Sequence, residues 1–328
     1  MAGMGKRMRP HTLTIPKPLI PIAGKSIVER LVDELSKISN TKIEEIAFVV
    51  GNFGLEVEES LIAIAQKYNA KGKIFYQHNP LGTAHAVFCA AESLSGEIIV
   101  AFADTLFTAD FVINPDTDAS IWVKKVPDPS AYGVVKVNDE GIITDFIEKP
   151  KSFISDLAII GIYYFKNGLI LSEEIRFLIE NDIKGNNEYQ LTDALEIMKN
   201  KGIRFSTALV DEWLDCGNKN ATVHTNQRVL INSDLKDLID PSARIENSII
   251  LSPSYLGKGV EISNSVIGPF VSVGEGTKIV NSIVKNSIIQ NHSSIENANA
   301  INSMIGNYVE VTSNPEEYNI GDYTVIGK

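Results

Sequence analysis

From about residue 230 onward the chain repeats with a period that neither a helix nor an ordinary strand can produce. The triplet Asn-Ser-apolar begins at positions 247, 264, 281, 286 and 302, and the first three copies lie 17 apart. Superimposed on it, apolar residues recur every six positions: Ile239, Ile245, Leu251; then Ile267, Val273, Ile279; then Ile283, Ile289, Ile295, Ile301. Side chains repeat every 3.6 residues on a helix face and every two on a strand face. A period of six belongs to a parallel β-helix, in which each hexapeptide forms one side and turns one apolar side chain inward. Three hexads close a triangular coil, and 17 is one coil less a corner residue. Residues 231–328 are therefore expected to form a solenoid domain of about five coils.

The preceding 230 residues alternate between helical and strand patterns. Ile27, Leu31, Leu35 and Ile38 fall at helical spacing, and Ile43–Val50 is an apolar strand candidate ending at Gly51. Leu55–Tyr68 reads as a helix, Lys73–Gln77 as a short strand, Ala84–Leu94 as a helix and Ile98–Ala103 as a buried strand. Such alternation implies a mostly parallel α/β sheet covered on both faces. The stretch from Ser120 to Phe165 is richer in strands, and helical patterns return at Leu169–Ile179 and Leu191–Lys199. Residues 1–230 are thus expected to be one α/β domain.

Charge narrows the partners. The net charge of -11 argues against a nucleic-acid polymer, which requires a basic surface. Yet residues 1–30 hold Lys6, Arg7, Arg9, Lys17, Lys25 and Arg30 against Glu29 alone, a local +5. A basic, Gly-containing start in an acidic chain points to a small polyanion such as a triphosphate. No apolar run approaches the ~18 residues of a membrane span, and no secretory h-region opens the chain. Two cysteines, Cys89 and Cys216, form no disulfide framework and suit the cytoplasm.

The residues able to carry chemistry begin at Ala2-Gly3-Met4-Gly5-Lys6-Arg7-Met8-Arg9-Pro10, where two glycines permit close approach of backbone to phosphate. Alone the segment is weak: it lacks the third glycine of a dinucleotide fingerprint and is no P-loop. The continuation adds weight: Thr12, then Pro16-Lys17-Pro18-Leu19-Ile20-Pro21, then Gly24-Lys25. Further along stand Gln77-His-Asn-Pro-Leu-Gly82-Thr83-Ala-His85-Ala, Asp104 after an apolar strand, Tyr132-Gly133-Val-Val and Glu148-Lys149-Pro150. Gly161-Ile-Tyr, Asn187-Glu188-Tyr-Gln190-Leu-Thr-Asp193 and Trp213-Leu-Asp215-Cys216-Gly217 complete the series.

In this order the set resembles the sugar-1-phosphate nucleotidyltransferases, most of all the glucose-1-phosphate thymidylyltransferases that carry a C-terminal left-handed β-helix. The resemblance runs through the whole catalytic region and implies a Rossmann-like α/β fold followed by a left-handed parallel β-helix. It implies a Mg²⁺-dependent enzyme that joins a nucleoside triphosphate to a sugar 1-phosphate and releases pyrophosphate. By this resemblance Arg7 and Lys17 hold the triphosphate and the departing pyrophosphate. Ala2, Gly3, Gly5, Gln77, Gly82 and Thr83 bind the nucleotide. Gly133, Glu148, Lys149 and Glu188 hold the sugar phosphate. Asp104 and Asp215 are the metal carboxylates; Asp104 is also expected at the carboxyl end of a strand, where open α/β sheets bind ligands. Gln190 is placed with Glu188 on the sugar side, and His85 is expected as a packing residue or one that supports a site residue, not as an acid or base.

Gln77, with an amide that donates and accepts, favours with Gly82 a pyrimidine triphosphate over GTP, and the resemblance to thymidylyltransferases puts dTTP before UTP. Glucose 1-phosphate is the expected sugar. An N-acetylglucosamine-1-phosphate uridylyltransferase and a GTP/mannose-type enzyme are the alternatives, and a non-catalytic regulatory subunit of the same plan or an acetylating β-helix are readings of another class. Flat β-helix faces imply a homo-oligomer. The chain departs from the family pattern at Lys6 (usually Thr), Met8 (usually Leu) and Asn218 (usually Thr). The family also places an apolar strand directly before its Gly-rich loop, whereas only Met1 and Ala2 precede Gly3 here. An upstream central strand is therefore expected, without which neighbouring strands would keep unpaired backbone groups.

Overall fold

The computed structural model describes residues 3, 5–38, 42–109, 113, 117–234 and 238–325. Two compact units emerge, one of 1–20 with 25–221 and the other of 21–24 with 222–328.

In the first unit the chain runs through short strands β1 (Pro21–Ile22, from the other unit) and β2 (Lys25–Ser26) into helix α1 (Ile27–Ile38). The helical spacing read in the sequence becomes a buried face of Ile27, Val28, Leu31, Val32, Leu35 and Ile38. β3 (Glu45–Val50), α2 (Leu55–Lys67) and β4 (Lys71–Tyr76) form a strand–helix–strand unit whose strands pair in parallel. Helix α3 (Thr83–Phe88) is shorter than the Ala-rich stretch suggested, giving way to a 3₁₀ turn at Ala91–Ser93. Next come β5 (Ile98–Ala101), β6 (Thr105–Thr108), β7 (Ala119–Lys125), β8 (Gly133–Val137), β9 (Ile143–Glu148) and β10 (Leu157–Phe165). Helices α4 (Gly168–Glu180) and α5 (Leu191–Asn200), strands β11 (Phe205–Leu209) and β12 (Glu212–Asp215), and α6 (Lys219–Asn232) complete the series.

The central sheet has the order β11-β7-β10-β8-β9, with β5 also on β10. It is mixed. β11 runs parallel to β7, while β10 runs against β5, β7 and β8. Strands β5, β7 and β11 thus share one direction, and β10 is inserted among them in the opposite one. All nine residues of β10 are buried, which is why its sequence is apolar without alternation. Gly161 interrupts it with a φ of +85°, and a Cβ there would stand 2.7 Å from the Phe102 ring. Its carbonyl accepts from Phe102 N–H at 2.8 Å, at the end of β5, just before the turn to Asp104. Among the described residues β3 pairs with β4, β5 pairs with β10, and no strand joins β3 to β5. Both border a cleft of about 1270 Å³ that also reaches the Gly-rich loop.

The second unit is a parallel β-helix of thirteen short strands, β13 (Arg244–Glu246) to β25 (Glu310–Thr312), stacked in three parallel sheets. The register repeats by 17 residues in the early coils, Arg244 to Glu261 to Lys278, and by 16 afterwards, to Ser294 and Glu310. Inward positions run Ile262, Ile267, Val273, Ile279, Val284, Ile289 and Ile295, all buried. The steps are therefore five and six, not uniformly six. For that reason Leu251, Ile283 and Ile301, in phase by a strict count of six, lie exposed, whereas Val284 is fully buried. Ile239 and Ile245 stand in inward rows opposite Leu256 and Ile262 but in the first coil, where they too are exposed.

The Asn-Ser triplet now has a mechanism. Asn247, Asn264, Asn281, Asn286 and Asn302 all take positive φ at coil corners, a conformation asparagine tolerates better than most residues. Asn247 Nδ2 donates to Asn264 Oδ1 at 2.7 Å, and Asn286 to Asn302 at 2.6 Å. The serines that follow the first four asparagines accept from the next coil: Ser248 Oγ from Ser265 N–H, then Ser265 Oγ from Ser282 N–H, Ser282 Oγ from Ala298 N–H and Ser287 Oγ from Ser303 N–H, each at 3.0 Å. Of the solenoid's three faces, one is covered by α6, where Asn226 Oδ1 accepts from Ser272 Oγ at 2.6 Å. A second carries charges such as the Arg244–Glu261 ion pair. The third, of β14 (Ile249–Ile250), β17 (Val266–Ile267), β20 (Ile283–Lys285) and β23 (Asn299–Ile301), has Lys285 as its single charged strand residue.

Candidate functional site

The Gly-rich loop is a left-handed turn. Gly5 has φ +53° and precedes a short 3₁₀ helix, Lys6–Met8. Its carbonyl accepts from Met8 N–H at 2.9 Å and Thr12 Oγ1 at 2.9 Å, so Thr12 holds the loop from beneath. Met8 is buried and anchors the turn, leaving Lys6 and Arg7 exposed. A second 3₁₀ turn, Lys17–Leu19, carries Lys17, which is buried. Lys17 Nζ lies 2.6 Å from Asp104 Oδ2.

Asp104 stands in the turn between β5 and β6, and antiparallel pairing of β6 with β12 sets Asp215 opposite Thr105. Cys216 N–H donates to the Asp104 carbonyl at 3.2 Å, tying the two strand ends together. Burial raises the Asp215 carboxyl above its ordinary value, and Asp104 pushes the same way, while Lys17 and Arg7 pull it down. Two carboxylates and two cations thus act on one another electrostatically. A Cβ on Gly217 would come within 2.7 Å of Asp215 Oδ2, so any larger residue there would displace this carboxylate. Among the described residues no three His, Cys, Asp or Glu side chains gather as a complete metal cage.

Gln77, 8% exposed, follows β4. Its Nε2 donates to the Gly82 carbonyl at 3.0 Å and lies 3.0 Å from His85 Nδ1. Burial lowers the His85 pKa, keeping a neutral ring whose Nδ1 can accept. Of the two roles expected for this histidine the contact matches the supporting one, with Gln77 as the group it orients. Gly82 has φ +120°, and a Cβ there would stand 2.4 Å from the Tyr189 carbonyl oxygen. Thr83 opens α3, and its Oγ1 accepts from Leu191 N–H at 2.9 Å.

The hairpin of β8 and β9 sets Gly133 directly opposite Glu148. Glu148 Oε2 accepts from Thr192 Oγ1 at 3.2 Å, and Oε1 lies 3.4 Å from Lys149 Nζ. Lys149 has φ +44°, a strained conformation for a non-glycine residue. Glu188 follows a tight turn through Asn186 and Asn187, both at positive φ. Asp193, in the first turn of α5, has a buried Oδ2 without a hydrogen-bond partner. Burial and then Glu148 raise its carboxyl, while the Gly185 N–H lowers it.

Of the residues singled out in the sequence, Gly3, Gly5, Arg7, Lys17, Gln77, Gly82, Thr83, Asp104 and Glu188 line one cleft. Asp215 adjoins it through Asp104 and Gly217. Gly133, Glu148 and Lys149 form a separate group joined to the Glu188 segment through Thr192. Ala2 lies outside the described residues. Sequence reading missed the supporting contacts of Thr192 and His85, because these depend on which helix faces which strand.

Comparison with known proteins identifies the family to which residues 1–231 belong. The family profile described as nucleotidyl transferase matches residues 1–231. A glucose-1-phosphate thymidylyltransferase of Streptomyces griseus is 30% identical over 96% of this chain and 92% of its own. The bifunctional protein GlmU of Methanococcus aeolicus is 32% identical over 76% of this chain, which spans 58% of that longer protein. Among solved structures, UDP-glucose pyrophosphorylase complexed with UDP-glucose superposes with a TM-score of 0.57 at 24% identity, covering 71% of this chain and 97% of that one, a likeness of fold. With a glycine-turn loop, cations and carboxylates converging on one cleft, and a family profile spanning that whole region, the chain belongs to the nucleotidyl transferase family and is an enzyme of the glucose-1-phosphate thymidylyltransferase-like kind.

Proposed function

We propose that the enzyme joins a pyrimidine nucleoside triphosphate, dTTP in preference to UTP, to glucose 1-phosphate, releasing pyrophosphate. The observation that carries this reading is the single cleft shared by Gly5, Arg7, Lys17, Gln77, Gly82 and Asp104. A sugar-phosphate oxygen attacks the α-phosphorus in line with the departing pyrophosphate. The attacking phosphate is already ionised near neutral pH, so no general base is needed, and catalysis rests on alignment and charge neutralisation. Arg7 and Lys17 hold the triphosphate and take up the charge that develops on pyrophosphate. Lys149 grips the sugar phosphate, and Glu148, Gly133 and Glu188 orient the sugar.

Asp104 and Asp215 fit a Mg²⁺ ion, which takes oxygen ligands and usually shares its sphere with substrate and water. The rise in the Asp215 pKa through burial and Asp104 is a penalty that a cation beside them relieves. When bound, such an ion supplies charge neutralisation at the phosphate oxygens. With Gln77 Nε2 engaged by Gly82 and His85, its Oε1 is the group suited to accept from N3–H of thymine or uracil; cytosine offers no donor there.

A second reading, UTP with N-acetylglucosamine 1-phosphate, is favoured by the segment Asn187-Glu188-Tyr189-Gln190-Leu191-Thr192-Asp193, which resembles that of uridylyltransferases. A homo-oligomer is supported by the third β-helix face, where Ile249, Leu251, Ile283 and Ile301 are between 42% and 59% exposed. Two free cysteines and no helix long and apolar enough to cross a membrane among the described residues support a cytoplasmic enzyme. The test is pyrophosphate release with four nucleoside triphosphates against a panel of sugar 1-phosphates and Mg²⁺. Release that requires both substrates and is greatest with dTTP and glucose 1-phosphate is expected. Silence across the panel from folded protein returns the regulatory reading.

A further inference from the structure

We propose that Gln190 is a positioning residue that couples binding of the nucleotide to binding of the sugar phosphate, through a relay from Thr83 to Glu188. The inference rests on the function proposed above, which puts Thr83 on the nucleotide side and Glu188 on the sugar side of one cleft.

The relay has a defined direction. Leu191 N–H donates to Thr83 Oγ1 at 2.9 Å, which uses a hydroxyl lone pair and turns the hydroxyl hydrogen elsewhere. Thr83 Oγ1 donates it to Gln190 Oε1, the two oxygens lying 3.3 Å apart. With its oxygen so engaged, the Gln190 amide must present nitrogen on its other side, and Nε2 donates to Glu188 Oε2 at 3.1 Å. Gln190 is 7% exposed, so its amide is largely shielded from competing water, while the Glu188 carboxylate at the end of the relay opens to solvent. A reversed amide would set oxygen against the Glu188 carboxylate and lose that bond, because the carboxylate only accepts, whereas the Thr83 hydroxyl could accept from NH₂ instead.

The backbone leaves the two segments little freedom to move apart. Tyr189 N–H donates to the Leu81 carbonyl and Ala84 N–H to the Tyr189 carbonyl, each at 2.9 Å. Gly82 packs so closely on Tyr189 that a single added carbon would stand 2.4 Å from its carbonyl oxygen. A nucleotide that fixes residues 82–83 therefore fixes the Gln190 amide, which fixes the Glu188 carboxylate before the sugar phosphate arrives. By reciprocity, bound sugar phosphate improves the nucleotide site by the same factor.

The experiment measures the Kd of glucose 1-phosphate by calorimetry on the full chain with Mg²⁺, alone and with a saturating α,β-methylene analogue of dTTP, which cannot release pyrophosphate. The native chain is expected to bind the sugar phosphate at least about 5-fold tighter when the analogue is present. Gln190→Leu should bring that ratio to within about 2-fold of unity. Should Gln190→Leu fail to fold, the pair Thr83→Val and Thr83→Ser decides: valine loses the coupling and serine, which keeps the hydroxyl, retains it. A native ratio near unity, or full coupling in Gln190→Leu or Thr83→Val, overturns the relay. Failure of the native chain to bind either ligand overturns the proposed function instead.

Discussion

Lys17 Nζ and Asp104 Oδ2 stand 2.6 Å apart, a contact between residues 87 positions distant in the chain. The lysine side chain is 10% exposed and the carboxylate 41%. A nearly buried cation thus faces a carboxylate that opens to the cleft. Coulomb attraction at this depth is far stronger than at a free surface, but the exposed carboxylate shares it with water. The pair consequently matters more for chemistry than for stability. Asp104→Asn is expected to lower the rate of pyrophosphate release at least about 100-fold, about 2.7 kcal/mol of transition-state stabilisation. The same substitution should change unfolding free energy by less than about 1 kcal/mol, as denaturant titration will show.

Chelation should stop the reaction. With excess EDTA, pyrophosphate release is expected to fall to background and to return on addition of Mg²⁺, because Asp104 and Asp215 alone supply too few oxygens for a closed protein cage. Activity that persists at full rate through chelation would contradict the assignment of these two carboxylates.

Gly82 has no room for a side chain. Its φ of +120° disfavours any residue with a Cβ, and that carbon would meet the Tyr189 backbone rather than a yielding side chain. Gly82→Ala is expected to cost about 2 kcal/mol or more of stability and to weaken nucleotide binding at least about 10-fold. Thermal unfolding and nucleotide titration measure the two effects separately.

Asp193 predicts a pH dependence. Its folded carboxyl is raised, first by burial and then by Glu148, so the folded state holds this proton to higher pH than the unfolded chain does. Its contribution to stability is therefore most favourable at low pH and declines as pH rises from the ordinary carboxylate range through the raised value. Asp193→Asn removes the titration and replaces the orphaned Oδ2 with a donor near Glu148. The variant should be more stable than the native chain at neutral pH by on the order of 1 kcal/mol. The difference should vanish near about pH 3.5. Melting temperatures measured across that range test the sign.

Adjacent residues of the β-helix separate inside from outside. Val284 is fully buried and Ile283 is 53% exposed. Val284→Ala should cost about 2 kcal/mol, while Ile283→Ser should stay within about 0.5 kcal/mol. Ile283→Lys should leave folding intact and lower the solution mass seen by light scattering, if the apolar face joins copies of the chain.

Much of this was legible in the sequence. The six-residue repeat announced the β-helix because no other backbone repeats at that interval. Helix α1 followed from apolar spacing alone, and the glycine loop, Lys17, Gln77 and Asp104 marked the cleft because phosphate chemistry needs those groups and the family motifs fix their order. What the repeat could not show was its own phase. Coil sides of five and six residues turn Ile283 outward and Val284 inward, and only closure of the coil chooses between them. Strand directions were also hidden, since β10 enters the sheet against β5 and β7 by pairing with segments far away in the chain. The supporting contacts, His85 on Gln77, Thr192 on Glu148 and Gln190 between Thr83 and Glu188, join residues up to 107 positions apart. Sequence determined which groups were available and what local structure carried them. Tertiary packing decided which of them meet, because hydrogen bonds and ion pairs depend on distances of a few ångströms that no local pattern encodes.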